Sequence, residues 1–363
     1  MAVGFSDAVI LPTDPAWFFP RSESLFIQAF AVTGPHSFVL SASFDGEINV
    51  LSGPYSRFYR YDKGRWLCVE VEAALIGIII QNDSVLGSEE LIVLGTEGDV
   101  WLVGDRIRTE HIPNVEKGQY LCSLRVLSST GGQLFALGFE GHIFRRHDGA
   151  WLNDDEGVLG FDPPFPRKRA VDVGQLTDGS DIATLANGDQ YFCGSVATAR
   201  PALFWRPAGT RRWQWLGYAV DDPAYDYLVP ITLLVEEPDT VWVAVDEGAM
   251  LKGNAATGFR IASEFAQRPA WAGDRVWFNN AVFYCGEIYA GSNFGAFRLR
   301  PDGSWQYAGP DVPPKHGEFP FGGGSLGVSG DVLWSFGPRD VARFDGREWQ
   351  RVPMPSIYRD DPP

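Results

Sequence analysis

A short strand, a turn ending in glycine and a second short strand recur along the whole chain, and this recurrence limits what it can fold into. The unit reads FVLSASFDGEINVLSG from Phe38, LIVLGTEGDVWLVG from Leu91 and LFALGFEGHIFRRH from Leu134. It returns as IATLANGDQYFCG from Ile182, VWVAVDEGAMLKG from Val241 and EIYAGSNFGAFRLR from Glu287. A last, altered copy, VLWSFGPRDVARF from Val332, has Asp340 at the turn. Subtracting the numbers of Gly46, Gly98, Gly141, Gly188, Gly248 and Gly295 gives separations of 52, 43, 47, 60 and 47 residues. Glycine supplies the positive φ that tight hairpin turns demand. Alternation such as His142-Ile143-Phe144-Arg145 gives the period of two that marks a strand.

Each unit extends beyond its hairpin. An apolar strand lies upstream: Phe26–Val32, Leu75–Gln81, Ser123–Leu127, Val171–Leu176, Ile231–Val235, Val276–Asn280 and Ser325–Val328. Downstream, an Asp-Gly or similar turn leads to a tryptophan, most clearly at Asp148-Gly149-Ala150-Trp151 and Asp302-Gly303-Ser304-Trp305. Trp66, Trp349 and the pair Trp213 and Trp215 fill the place in other units, and Ile112 and Phe259 in the second and fifth. Four strands alone make a weak domain, whereas blades stacked in a ring bury both sheet faces and protect the edges. A repeat of about 40–50 residues fits such blades. The expected fold is therefore all-β: a single seven-bladed β-propeller of four-stranded antiparallel blades. The blades fall at about 22–72, 73–118, 119–158, 168–220, 228–266, 273–309 and 322–354. Ala8–Pro12 is a candidate extra strand for the last blade. A pair of β-sandwiches would leave the recurrence unexplained.

The D-G-x-W endings resemble the repeats of sialidase-like and photosystem-assembly-factor-like propellers. The resemblance spans most of the chain and implies the fold only. The Asp-box S-x-D-x-G-x-x-W is not met, because Arg146 and Arg300 stand two places before Asp148 and Asp302. The Gly-His and Trp-Asp dipeptides of WD40 repeats do not recur at blade period.

The chain has 363 residues, 46 acidic against 30 basic, for a formal charge of -16. Such a field repels phosphate backbones, so no nucleic-acid partner is expected. Cys68, Cys122, Cys193 and Cys285 lie in apolar runs without a C-x-x-C pair, which reads as buried reduced thiols rather than zinc ligands. The opening MAVGFSDAVILPTDP lacks a basic stretch and carries Asp7 and Asp14, so no signal peptide is expected. The apolar run Ala73–Ile80 is too short to span a bilayer. A monomer in the cytoplasm, with no membrane association, is the resulting expectation.

Strand order also assigns faces. With strands A to D running outward from the axis, B–C turns and D–A connections share one face, here the top. Glu140 and similar residues precede the turn glycines, and the long connections carry Asp154, Asp155, Asp221 and Asp222. The C strands and C–D turns hold 17 of the 30 basic residues. An acidic top opposite a more basic remainder follows. The same long connections carry Tyr225, Tyr227, Trp271 and Phe319, and aromatic residues amid acids suit a protein-binding surface.

Nucleophile elbows, P-loops, HExxH and EF-hand loops are absent, and the five histidines show no ligand spacing. No metal, cofactor or catalytic residue is expected. The reading that follows is a non-enzymatic protein-binding propeller, in its concrete form an acidic immunity protein that blocks a basic protein toxin. Glu140, Asp154, Asp155, Asp221 and Asp222 would steer the partner, and Tyr225, Tyr227, Trp271 and Phe319 would anchor it. A carbohydrate-binding propeller and a propeller glycoside hydrolase or lyase are the alternatives. The hydrolase would need channel-mouth carboxylates, for which Asp172 and Glu236 are the nearest candidates.

Overall fold

The computed structural model describes residues 9–11, 25–44, 56–71, 75–83, 88–95, 98–103, 107–113, 124–138, 141–158, 176–196, 200–218, 228–271, 275–310, 324–338 and 340–354. These residues form seven antiparallel sheets and no helix. Six sheets have four strands in sequence order, and the first has a fifth. The innermost strands are Leu25–Gly34, Leu75–Asp83, Leu124–Thr130, Leu176–Thr184, Pro230–Glu236, Phe278–Tyr284 and Ser325–Ser329. Each lies against the next, and the seventh returns to the first, so the blades close a ring. The seven-bladed propeller is thus the observed fold.

Local chemistry sets the blade geometry. Asp148 and Gly149, at φ of 50° and 78°, form the C–D turn of blade three. Two successive residues in the left-handed region turn the chain with the twist of the strands they join. Successive side chains point to opposite faces, so unbroken apolar runs such as Val332–Phe336 bury both faces of a sheet. Clusters of buried side chains fill the joints between blades: Leu137, Ile143, Phe192 and Trp213 fill the joint of blades three and four. Each large apolar side chain buried this way contributes roughly 1.5–3 kcal/mol.

Among the described residues, closure uses packing and hydrogen bonds and no exchanged strand. Val9–Leu11 adds to the outer edge of blade one, pairing Ile10 with Leu67, and not to the last blade as the sequence suggested. The joint of blades seven and one is aromatic. Phe30 stacks on Phe336 at 3.9 Å between ring centroids, and Phe38 meets Trp334 edge-on. Ile27 N donates to Pro338 O (2.8 Å), and Trp66 Nε1 donates to Pro353 O (2.9 Å) across the same joint.

Blade four departs from the expected register. Its innermost strand is Leu176–Thr184, followed by Gln190–Val196, Arg200–Arg206 and Gln214–Tyr218. The Asn187-Gly188 turn therefore joins A to B and lies on the face opposite the other turn glycines. The sequence LTDGSDIAT reads as a loop because it is polar and holds two bulges, after Leu176 and after Gly179. A bulge leaves a residue unpaired and breaks strict alternation. In blade six the inner strand starts at Phe278, not at Val276, which leaves Trp277 on the rim. Ile112 follows its outer strand instead of opening it. Cys193 is buried, but Cys285 is exposed in a turn at φ 50°, against the expectation of buried thiols. Cys122 lies outside the described residues.

Candidate functional site

The top face begins with the predicted acids of blade three. Asp154 and Asp155 leave its outer strand, Ala150–Asn153, and turn into the joint with blade four. Asp154 accepts Arg206 Nη1 on Oδ1 and Arg206 Nη2 on Oδ2, both at 2.7 Å, and Arg145 Nε approaches Oδ2 at 3.4 Å. Arg206 is 4% exposed, lies 4.4 Å over the Trp213 ring and also donates to Gln190 Oε1. Trp213 Nε1 closes the circuit on Asp154 O (2.8 Å). Asp155 is buried, with Oδ2 3.5 Å from His142 Nδ1. A guanidinium so desolvated requires its carboxylate, so the charge of Asp154 is matched inside the ring.

The same geometry recurs at other joints. Trp151 Nε1 donates to Glu110 Oε2 (3.0 Å), Trp305 Nε1 to Ser263 Oγ (3.2 Å) and Trp349 Nε1 to Ala308 O (2.7 Å). In every case a tryptophan near the start of one outer strand reaches the end of the preceding blade's outer strand. Blade twist brings those ends together. It also brings acids from D-strand ends onto arginines of the next C strand: Arg146 grips Glu110 through two bonds, at 2.8 and 2.6 Å. The segregation of charge read from strand order is therefore partly cancelled at the rim, where acid and base pair across joints.

A second top-face sector lies at blades five and six. Trp271 is half-buried and packs edge-on against Phe294 and Tyr307. Phe294 belongs to the B–C turn of blade six, whose Asn293 holds the neighbouring rim segment. Trp277 N donates to Asn293 Oδ1 (2.9 Å), Asn293 N to Trp277 O (3.1 Å) and Asn293 Nδ2 to Arg275 O (3.0 Å). Trp277 is 42% exposed. Across the joint, Phe278 N donates to Asp246 O (2.7 Å), and Asp246 Oδ1 accepts Val229 N and Glu247 N. Burial raises the Asp246 carboxyl above its usual range despite those donors.

The inner wall carries one carboxylate that strand order did not reveal. Asp181 Oδ1 accepts Ile182 N (2.8 Å) and Ser128 Oγ (3.4 Å), and Oδ2 accepts Leu233 N (2.9 Å). It thereby ties the innermost strands of blades three, four and five. Burial outweighs these donors and raises its carboxyl to about 6. Glu236, a carboxylate considered for hydrolysis, sits at the far end of its strand. Its Oε2 accepts Lys252 Nζ and Trp242 Nε1, both at 2.7 Å, and the Lys252 bond is the main cause of its lowered carboxyl. Asp172 lies outside the described residues, as do Glu140, Asp221, Asp222, Tyr225, Tyr227 and Phe319. Among the described residues no group of three or more His, Cys, Asp or Glu is placed to hold a metal ion.

No family model matches the chain. A curated protein, the immune protein Tsi7 of Pseudomonas aeruginosa PAO1, is 22% identical over 320 residues, which cover 86% of this chain and 92% of Tsi7. Among solved structures, YCF48 bound to D1 peptide covers 96% of both chains at 13% identity, with a TM-score of 0.55. The WD40 β-propeller domain of Doa1 covers 94% of this chain and 96% of its own at 12% identity, with a TM-score of 0.57. Likeness at such identities shows the propeller fold and nothing finer.

Two residues of interest escaped the sequence reading. Trp277 falls within the expected inner strand Val276–Asn280, because Val276-Trp277-Phe278 is an unbroken apolar run. Asp181 falls between the expected inner strand Val171–Leu176 and the hairpin that starts at Ile182, and so reads as a loop residue. The bulge signal in T-D-G-S-D, two acids flanking a glycine ahead of an apolar run, marks the true position.

Proposed function

We propose that the chain is an immunity protein that binds a protein toxin and neutralises it without catalysis. The observation that carries this reading is the end-to-end similarity to an immune protein, Tsi7, over 320 residues. A propeller suits the task, since its rigid rim presents many loops on one face. The formal charge of -16 favours a basic toxin. The long top-face connections supply the contact in this proposal: Glu140, Asp221 and Asp222 steer, and Tyr225, Tyr227 and Phe319 anchor beside Trp271. Asp154 and Asp155 brace the joint of blades three and four. The chain acts as a cytoplasmic monomer until it meets the toxin.

The test is co-expression of the chain with the product of the gene adjacent to its own. The expected result is growth rescue together with a stable one-to-one complex in mass photometry. Growth arrest that the chain does not relieve, with no complex formed, would remove the reading.

A further inference from the structure

The described residues build the same three-part contact twice, once buried and once at the surface. Arg206 lies 4.4 Å over the Trp213 ring and binds the Asp154 carboxylate. Lys252 Nζ lies 4.4 Å over the Trp242 ring and 2.7 Å from Glu236 Oε2. In each, a cation is held between an indole face and a carboxylate, which attract it together. The rim of blades five and six has two of these parts. Trp277 offers an exposed indole, and Glu247 lies on the adjoining turn of blade five, where Asp246 O accepts Phe278 N and the Glu247 carboxylate faces Arg275, two residues before Trp277. The third part is missing among the described residues. Arg275 reaches Glu247 only at 3.6 Å, remains 78% exposed and does not cover the ring.

We propose that Trp277 and Glu247 form a receptor for an arginine side chain of a basic protein partner, with Arg275 as its displaceable occupant. The proposal deepens the immunity reading and rests on it for the identity of the partner. Pre-organisation supports it. Asn293 fixes Trp277 through both backbone groups, and Asp246 Oδ1 fixes Glu247 N. A backbone held this way needs no loop ordering on binding, which lowers the entropic cost. An arriving guanidinium stacks flat on the indole and gives two N–H groups to the carboxylate, which the compact lysine ammonium cannot do as well. Arg275 then swings into water at little cost, since so exposed an ion pair contributes little.

The experiment titrates the whole chain with deca-arginine and deca-lysine at about 150 mM salt, where exposed charges are screened beyond roughly 8 Å. Trp277→Ala leaves the net charge unchanged, so it isolates the indole. The expected result is tighter binding of deca-arginine than deca-lysine, with a loss of about tenfold in Trp277→Ala and a smaller loss in Trp277→Phe. Glu247→Gln should weaken the arginine peptide, and Arg275→Ala should strengthen it. Equal affinity of Trp277→Ala and wild type for deca-arginine, or no preference over deca-lysine, overturns the proposal. An arginine preference that depends on Trp277, in a chain giving no protection against the adjacent gene product, keeps the receptor and removes the toxin reading. Protection without any arginine preference does the reverse.

Discussion

Asp181 sits where burial and hydrogen bonding pull its proton in opposite directions. Two backbone N–H groups and the Ser128 hydroxyl favour the carboxylate, yet its depth in the ring lifts the carboxyl to about 6. Its unfolded value is about 3.9. A folded value above the unfolded one means that its stabilising contribution is complete below the unfolded value. That contribution is lost as pH rises through about 6. Asp181→Asn removes the titration, so the variant serves as the reference for the wild type. The stability of the wild type relative to Asp181→Asn is expected to fall by about 2 kcal/mol between roughly pH 4.5 and 7.5. Urea unfolding of both proteins across that range measures it, and parallel pH profiles would show that the donors, not burial, set this carboxyl. The sequence marks the bulge around Asp181 but not its shifted carboxyl, because burial belongs to the assembled ring.

At the scale of the strand, the tryptophan contacts show how much of the fold was legible and where reading stopped. The turn-to-tryptophan pattern was legible at Trp66, Trp151, Trp305 and Trp349, and each donates its indole N–H to the preceding blade. The acceptors were not legible, since they depend on blade twist and lie 41 to 287 residues away. Blade four was misread for a related reason. Alternation and a turn glycine announce a hairpin, but they do not say whether it joins A to B or B to C. Asp154 illustrates the consequence for the candidate site: as a residue of a top-face loop it reads as a steering charge, and in the ring it is the counter-ion of Arg206. Its loss tests which role dominates. Asp154→Ala leaves a buried guanidinium without its carboxylate, and a cost of about 3–5 kcal/mol is expected in chemical unfolding. Where the variant is kept folded, association with the partner should proceed at the wild-type rate. A stable variant that associates slowly would assign Asp154 to steering instead.

For the whole molecule, closure without an exchanged strand among the described residues means that the seven sheets stay together through side-chain packing and hydrogen bonds at their joints. Pairing across two of those joints and within blades three, five and six consumes charge. Arg145, Arg146, Arg206, Lys252 and Arg298 lie on C strands, and each is paired with an acid, at Asp154, Glu110, Asp154, Glu236 and Glu287. Pairs of this kind cancel at a distance and leave the excess of 46 acidic over 30 basic residues to set the outer field. Long-range attraction of a basic partner then follows from net charge more than from an acidic top set against a basic base. The two origins differ in what a charge reversal does. Asp221→Lys with Asp222→Lys changes the net charge from -16 to -12, since each replacement adds two positive units. If net charge steers, the double variant should lower the association rate of the adjacent gene product by less than about tenfold at low salt. The same shift should follow from reversing two acids on the opposite face, with dissociation unaffected in both. Stopped-flow association across a salt series reads this directly. A rate that ignores salt and both reversals removes steering, and a rate sensitive only to Asp221 and Asp222 places the attraction on the top-face connection itself.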